Sequence, residues 1–563
     1  MKPGARTGWT SLPQMMLEIA RARPERPMLR HWRGGAWQSV TWGAFAQRVA
    51  SVAAGLRQAG IGPGDRVLLV SENRPEFVIA DTAIMAIGAV TVPTYTTNTV
   101  ADHAHILRDS GARVAIVSTA ALAARVREAA GGLDVLISME DLPESLPWAT
   151  LEETPGDPDM LAAEVGEIPE GRLACLVYTS GTGGLPKGVM LPHRAMLANR
   201  EGVAQIAERL NLDGGCYLSF LPLSHSYEHT VGGFLLPSLG LEVVYSRGAD
   251  RLAAEFQEVK PNVITAVPRL FEVLRGRIEA GVAKEGGFKA KLFHRALALG
   301  LRRMDGPPLG LLDRVQDAVL DRLVREKVRA RFGGKLQALV SGGARLDPDL
   351  SGFFLALGIP VIQGYGQTEA GPVISVNPPW ANRRETVGPP LPGVEARIAA
   401  DGELCVRGAL VMDGYWNDPD STSRALIEGW LHTGDVAEII DGYIRITDRK
   451  RDFIKTLGGD MVSPAKLETL LTAEPEIIQA VIAGEGQAAI VALLVPADGM
   501  AEQLGAALAR VNAKLAIIER IRRHAVVAPF TVENGQLTPT MKVKRRIVLG
   551  DHAAVVEGLH KRG

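Results

Sequence analysis

Cysteine is scarce in this chain of 563 residues, which has only Cys175, Cys216 and Cys405. They are far apart and odd in number, which argues against a disulfide framework and fits a reducing compartment. Net charge is nearly absent as well, since 62 Lys and Arg against 63 Asp and Glu leave −1. That balance gives no electrostatic case for nucleic acid as a partner. Long apolar runs are also missing. The longest weakly charged stretch, 82–100, contains Pro93 and several threonines, and it reads as a core helix followed by a strand, not as a membrane span. The opening residues, Met1-Lys2-Pro3-Gly4-Ala5-Arg6, lead into mixed polar sequence without the apolar region of a signal peptide. No internal repeat stands out, and no low-complexity segment beyond richness in alanine. These absences predict a cytoplasmic globular protein, and the length predicts two to four folding units.

What is present begins as alternating strands and helices. Thr41 is placed to cap a helix whose Phe45, Val49, Val52 and Leu56 recur at helical spacing, with Gly60 as its stop. Residues 66–70 and 114–117 read as buried strands, 76–87 as a helix, and the alanine-rich run to about Ala130 as another. This alternation predicts an α/β fold with mostly parallel sheets covered on both faces. Ligands of such sheets sit beyond the carboxyl ends of the strands.

One such end is chemically loaded. The apolar run Leu173-Ala174-Cys175-Leu176-Val177-Tyr178 leads into Thr179-Ser180-Gly181-Thr182-Gly183-Gly184-Leu185-Pro186-Lys187-Gly188. Glycines allow close backbone approach to an anion, hydroxyls and free N–H groups donate, and Lys187 adds a full charge. A flexible surface loop is the bland reading; the lysine fixed by Pro186 between two apolar runs favours a polyphosphate. Lys187 is followed by glycine, so this is not the Gly-Lys-Ser/Thr loop of P-loop enzymes.

Further motifs follow in order. His225, Glu228 and His229 spell H-x-x-E-H, a zinc-hydrolase pattern, but Pro222 lies just upstream and no third ligand suggests itself. Segment 284–335 is rich in Lys and Arg, including Lys289, Lys291, Arg295, Arg302, Arg303, Arg322, Arg325 and Arg329. It reads as a solvated helical face or as a peripheral membrane contact. Ser341-Gly342-Gly343 and Gly364-Tyr365-Gly366-Gln367-Thr368-Glu369 read as two more glycine turns at strand ends. Tyr365 offers a flat face to a base, and Glu369 a hard oxygen for phosphate-held magnesium. From 390 to 447 the period becomes two, with Asp-Gly hairpins at Asp401-Gly402 and Asp441-Gly442, predicting a small barrel-like subdomain that carries Thr433-Gly434-Asp435. The charge cluster 448–452 reads as a domain boundary. Beyond it Ser463-Pro464 opens a helix, residues 477–483 and 488–495 read as strands of a small α+β domain, and 537–546 is a basic loop.

These motifs in this order resemble the adenylate-forming superfamily over nearly the whole chain, from about Trp42 to Arg546. The spellings Leu-Pro-Leu-Ser-His-Ser, Gln-Gly-Tyr-Gly-Gln-Thr-Glu and Leu-Thr-Pro-Thr-Met-Lys are similar to those of long-chain fatty acyl-CoA synthetases. Two departures stand out: Gly183 replaces a hydroxyl residue common in the phosphate loop, and Met541 stands where many relatives have glycine.

The resemblance implies a ligase that activates a fatty acid as acyl-adenylate and passes it to CoA, using ATP and Mg²⁺. It implies an N-terminal domain over 1–447, a hinge over 448–452 and a mobile C-terminal domain over 453–563. By the same resemblance Thr179, Ser180, Thr182 and Lys187 hold the β and γ phosphates, Tyr365 stacks on the adenine, and Tyr178, Gly181, Gly343, Gly364 and Gly366 line the same nucleotide site. Asp435 and Arg449 would hold the ribose, Thr368 the α-phosphate, and Glu369 the metal. His225 would stand beside the acid, Lys542 would bridge carboxylate and α-phosphate, and Arg451, Lys455 and Gly458 would serve domain rotation and thioester formation. A fatty acyl-AMP ligase delivering to a carrier protein is the near alternative, an amino-acid adenylation domain is disfavoured by His225, and a catalytically silent nucleotide- or acyl-binding protein is the distant one. A homodimer and a peripheral membrane contact stay open.

Overall fold

The computed structural model describes residues 8–179, 185–450, 454–457, 461–538 and 541–561. Two eight-stranded sheets dominate the first three quarters of the chain. In one, Pro27–Arg33, Glu242–Tyr245, Cys216–Ser219, Val263–Ala266, Ala338–Ser341 and Val361–Gly366 run parallel as neighbours, edged by the antiparallel Ala36–Thr41 and Val373–Asn377. In the other, Arg66–Val70, Val90–Thr94, Val114–Val117, Val135–Ser138 and Leu173–Thr179 form the parallel part. Their near-continuous apolar sequence is what a strand buried on both faces requires.

Helix Pro75–Ala86 is buried on every face. It touches Pro27–Arg33 of the first sheet and both Arg66–Val70 and Val90–Thr94 of the second, and so lies between them. A helix in that position has no side to offer water, which explains why 77–87 is apolar but for Asp81 and Thr82, both buried. Beside it packs helix Trp42–Gln58, capped by the Thr41 hydroxyl on Ala44 N–H.

The second sheet carries a feature the alternation did not predict. Lys187–Pro192 returns antiparallel to Leu173–Thr179 and is itself edged by Gly414–Tyr415. The glycine- and hydroxyl-rich loop is therefore the connection of a β-hairpin at a sheet's carboxyl end.

After Pro390 the chain forms a five-stranded antiparallel sheet around the long strand Trp430–Ile440, with Glu395–Ile398, Glu403–Arg407, Leu426–Ile427 and Tyr443–Arg449. Both Asp-Gly hairpins are there. Strand Tyr443–Arg449 runs through Asp448, which is buried, so the first two residues of the expected hinge belong to the sheet. The C-terminal unit is α+β: Ile477–Ala483, Ile490–Pro496 and Ile521–Val526 form a sheet with its own apolar core, packed by helices Pro464–Thr472 and Leu504–Ala513. Ser463 caps the first of these by accepting from Lys466 N–H.

Candidate active site

The loop around His225 is built from the sheet upward. Asn73 grips the turn after strand Cys216–Ser219, donating to the Leu221 carbonyl (2.6 Å) and accepting from Leu223 N–H (2.9 Å). His225 then caps the short helix Ser226–Thr230, its Nδ1 accepting from Tyr227 N–H at 3.1 Å. With Nδ1 an acceptor, the ring is neutral with its proton on Nε2. Burial, together with the Lys542 charge, holds His225 down to about 3.

The helix is riveted in place by Glu228. This fully buried carboxylate accepts from Tyr217 (2.7 Å), Ser219 (2.6 Å) and Thr265 (3.0 Å), all on the sheet below. Burial raises its pKa to about 7 even so. A Cβ on Gly232 would meet the Glu228 carboxylate oxygen at 2.3 Å, so that position is confined to glycine by close approach. His229 goes elsewhere, with Nε2 2.8 Å from Asp81 in the core. The three residues of H-x-x-E-H thus have three separate partners, and among the described residues no group of three or more His, Cys, Asp or Glu side chains could hold a metal ion.

Ser226 brings this helix to the next motif, its hydroxyl 2.8 Å from that of Thr368. Gly364, Tyr365 and Gly366 lie inside strand Val361–Gly366 and not in a turn after it, because Val373–Asn377 pairs back along them. The pairing is so close at Gly366 that a Cβ there would meet the Pro372 carbonyl oxygen at 1.9 Å. Gly343 follows strand Ala338–Ser341 with a left-handed φ of 78°.

Tyr365 donates to Asp435 Oδ2 at 2.6 Å, and Arg449 Nε lies 3.3 Å from the other oxygen of the same carboxylate. Asp435 and Arg449 are register partners across the hairpin. Burial and the neighbouring Asp435 push the Tyr365 phenol well up, so it remains a donor. Lys542 reaches this region from the C-terminal unit. It sits within electrostatic range of Arg449, Asp435, Glu369 and His225, and burial with the Arg449 charge lowers its pKa to about 8. The preceding Met541 has φ 63°, a left-handed backbone that explains why glycine suits this place.

Lys187 is held by the next strand and helix: its ammonium is 3.2 Å from Asp418, bonds Ser421, and lies over the Tyr415 ring at 5.2 Å. Tyr415 in turn donates to Glu369 Oε1 at 2.9 Å. Thr179 ends strand Leu173–Thr179, paired with Lys187. Tyr178 is a buttress: its hydroxyl donates to Asp109 (2.6 Å) and its ring stands edge-on to His105, so that hydroxyl is already committed to helix Val100–Ser110. Ser180, Gly181, Thr182, Arg451 and Gly458 lie outside the described residues. Lys455 is exposed on strand Ile454–Lys455, its N–H donating to Glu485.

Sequence reading missed Ser226, Asp418 and Tyr415. Nothing in their local spelling marks them, since each acts only through a neighbour distant in sequence. Tyr415 and Glu369 also bear on magnesium. One protein carboxylate fits that ion's habit of keeping waters and substrate phosphates as its remaining ligands. Glu369 would hold it, and the ion would neutralise charge on the phosphates.

The chain matches the AMP-binding enzyme family over residues 17–416, and the AMP-binding enzyme C-terminal domain over 451–563. It belongs to the AMP-binding enzyme family. Among its relatives, the long-chain-fatty-acid–CoA ligase FadD15 of Mycobacterium tuberculosis is 33% identical over 97% of this chain and 96% of its own. The peroxisomal long chain acyl-CoA synthetase 7 of Arabidopsis thaliana is 29% identical over 91% and 80% respectively. A benzoate CoA ligase structure from Burkholderia xenovorans LB400 shares the fold, with a TM-score of 0.73 at 22% identity, covering 96% of this chain and 99% of that one.

Proposed function

We propose that this chain is a long-chain fatty acid–CoA ligase. The observation that supports it best is the meeting of Lys542 with the charges of Glu369, Asp435 and Arg449 and with neutral His225, contributed by segments far apart in sequence. Relatives of nearly equal length that are named as ligases of such acids support the substrate class.

A carboxylate is a poor electrophile because its oxide cannot leave. In the first step its oxygen attacks the α-phosphorus of ATP, the bond to the β-phosphate bridging oxygen breaks, and pyrophosphate departs. Two anions must approach for this, so a cation aimed between them lowers the barrier. Lys542 has that role in this reading, with Thr368 donating to the α-phosphate and Lys187, Thr179, Ser180 and Thr182 to the β and γ phosphates. Tyr365 flanks the adenine, Asp435 and Arg449 the ribose, and neutral His225 offers Nε2–H to the acid. In the second step the CoA sulfur attacks the acyl carbon, the thiol proton is lost, and AMP leaves. The C-terminal unit turns about the segment at Arg451 between steps, withdrawing Lys542 and presenting Lys455 and Gly458. The reading also includes a peripheral contact between the basic segment 284–335 and a membrane, where such acids reside.

The test is ATP–pyrophosphate exchange and acyl-CoA formation across acids from acetate to oleate. Exchange that depends on long acids, with acyl-CoA formed from free CoA, is expected. Exchange without acyl-CoA would assign delivery to a carrier protein instead, and no acid-dependent exchange would overturn the activity altogether.

A further inference from the structure

The basic segment contains a helix that buries Leu320 and Asp317 and leaves a second, larger apolar stripe facing outward. Helix Leu311–Leu320 continues through a wide turn, Asp321–Arg325, into Glu326–Ala330. Residues 311, 315, 319 and 323 follow one another along one side, and residues 313, 317 and 321 along another two positions away, about 200° round the helix. The usual arrangement would bury the apolar stripe. Here Leu311 and Leu312 are 81% and 89% exposed, and Val315, Val319 and Leu323 are exposed with them.

The acidic stripe, together with Leu320, is the side tied to the protein. Asp313 pairs with Arg295 (3.0 Å) and Arg302 (2.8 Å), Asp317 with Arg303 (3.1 Å) and with the fully buried Arg325 (2.6 Å). Arg325 also donates to the carbonyls of Ala296 and Ala356, at 2.7 Å each, which locks the helix onto its neighbours. The outward direction of the leucines is therefore fixed by the buried Asp317–Arg325 pair and the surface pairs of Asp313, and is not a matter of a loosely packed helix.

We propose that this face docks onto an anionic lipid bilayer, which deepens, and rests on, the reading of a ligase for membrane-partitioned acids. Two observations select that occupant. Segment 284–335 holds thirteen Lys and Arg against six Asp and Glu, in a chain whose overall charge is −1, so the segment that carries the apolar stripe is locally basic. Exposed Arg314, Arg322 and Lys327 on the same helical run have stems long enough to lie along the apolar surface while their heads reach lipid phosphates. A second copy of the chain fits less well, because a two-fold contact would press two basic rims together.

The experiment is co-sedimentation of the full chain with vesicles, alongside its mass in solution and its activity on decanoate, an acid soluble without lipid. Vesicles of equal phosphatidylglycerol and phosphatidylcholine should bind the wild type, pure phosphatidylcholine at least about tenfold less, and about 0.5 M salt should release much of it. Leu312→Glu with Val315→Glu should abolish binding, and Arg314→Ser with Arg322→Ser should weaken it about tenfold, both leaving decanoate turnover within about twofold. Equal vesicle binding by the Leu312 and Val315 variant, or none by the wild type, overturns the proposal. So does a wild-type dimer that this variant converts to monomer, or capture of an acidic carrier protein in place of vesicles. Loss of decanoate turnover in the wild type itself would count against the ligase reading and not against the docking surface.

Discussion

The ammonium of Lys187 rests 3.2 Å from the carboxylate of Asp418. Asp418 also caps helix Pro419–Ala425 by accepting from Ser421 N–H, and the Ser421 bonds with the nearby lysine hold its pKa down at about 2. The lysine proposed to hold the phosphates thus has a resident counter-ion.

Asp418→Asn keeps a capping side chain and removes the charge. A half-exposed ion pair of this kind is worth about 0.2–1 kcal/mol, so the KM for ATP should fall by about 1.4- to fivefold with kcat nearly unchanged. Initial rates against ATP concentration check this; a raised KM would mean that Asp418 steers Lys187 toward the phosphates.

Lys542→Ala should slow adenylation by roughly 10²–10³-fold and leave thioester formation from preformed acyl-adenylate largely intact. The pKa of Lys542 is lowered to about 8, so its positive charge is present below that pH and lost above it. The kcat/KM for pyrophosphate release should therefore decline as pH rises through about 8. Lys542→Arg should remove that limb, since a guanidinium stays charged. An unchanged limb in the arginine variant would assign it to another group.

Glu228 has a folded pKa of about 7 against an ordinary 4.5. The folded state binds this proton more tightly than the unfolded one, so its effect on stability is fully favourable below about pH 4.5. That effect is lost as pH rises to about 7. Glu228→Gln should flatten the fall in Tm between pH 5 and 7, with Tyr217, Ser219 and Thr265 still able to bond the amide. A slope identical to wild type would show that Glu228 is ionised in the fold throughout.

Met541→Gly should stabilise the Lys542 loop. A side chain at φ 63° costs about 1 kcal/mol, part of which glycine returns through greater freedom in the unfolded chain. A net gain of about 0.5 kcal/mol in a denaturant melt is expected, and a loss would show that the Met541 side chain makes a compensating contact.

The parallel strands were legible because burial on two faces leaves a bare apolar run, as in 66–70 and 114–117. The motif glycines were legible because close approach leaves no alternative, as at Gly366. What the spelling hid depends on tertiary pairing. Lys187–Pro192 reads as a strand, yet nothing in it shows that it returns antiparallel along Leu173–Thr179, and its other neighbour, Gly414–Tyr415, lies more than 200 positions on. The cluster 448–452 reads as a charged linker because Asp448 and Arg449 look solvated until Asp435 and the sheet are seen beside them. Segment 284–335 reads as a helix with its charges in water, whereas Asp313 and Asp317 are the residues turned inward.

Strand Trp430–Ile440 joins these threads. Asp435 and its partner Arg449 belong to a single hairpin, and Tyr365 bonds the same carboxylate from the adjoining sheet. All three precede residue 451, while Lys542 arrives from beyond it. On the proposed roles, the nucleoside grip and the acid-activating charge are thus on opposite sides of one short stretch of chain. A bound adenylate would then keep its sugar anchored while the lysine is exchanged for something else.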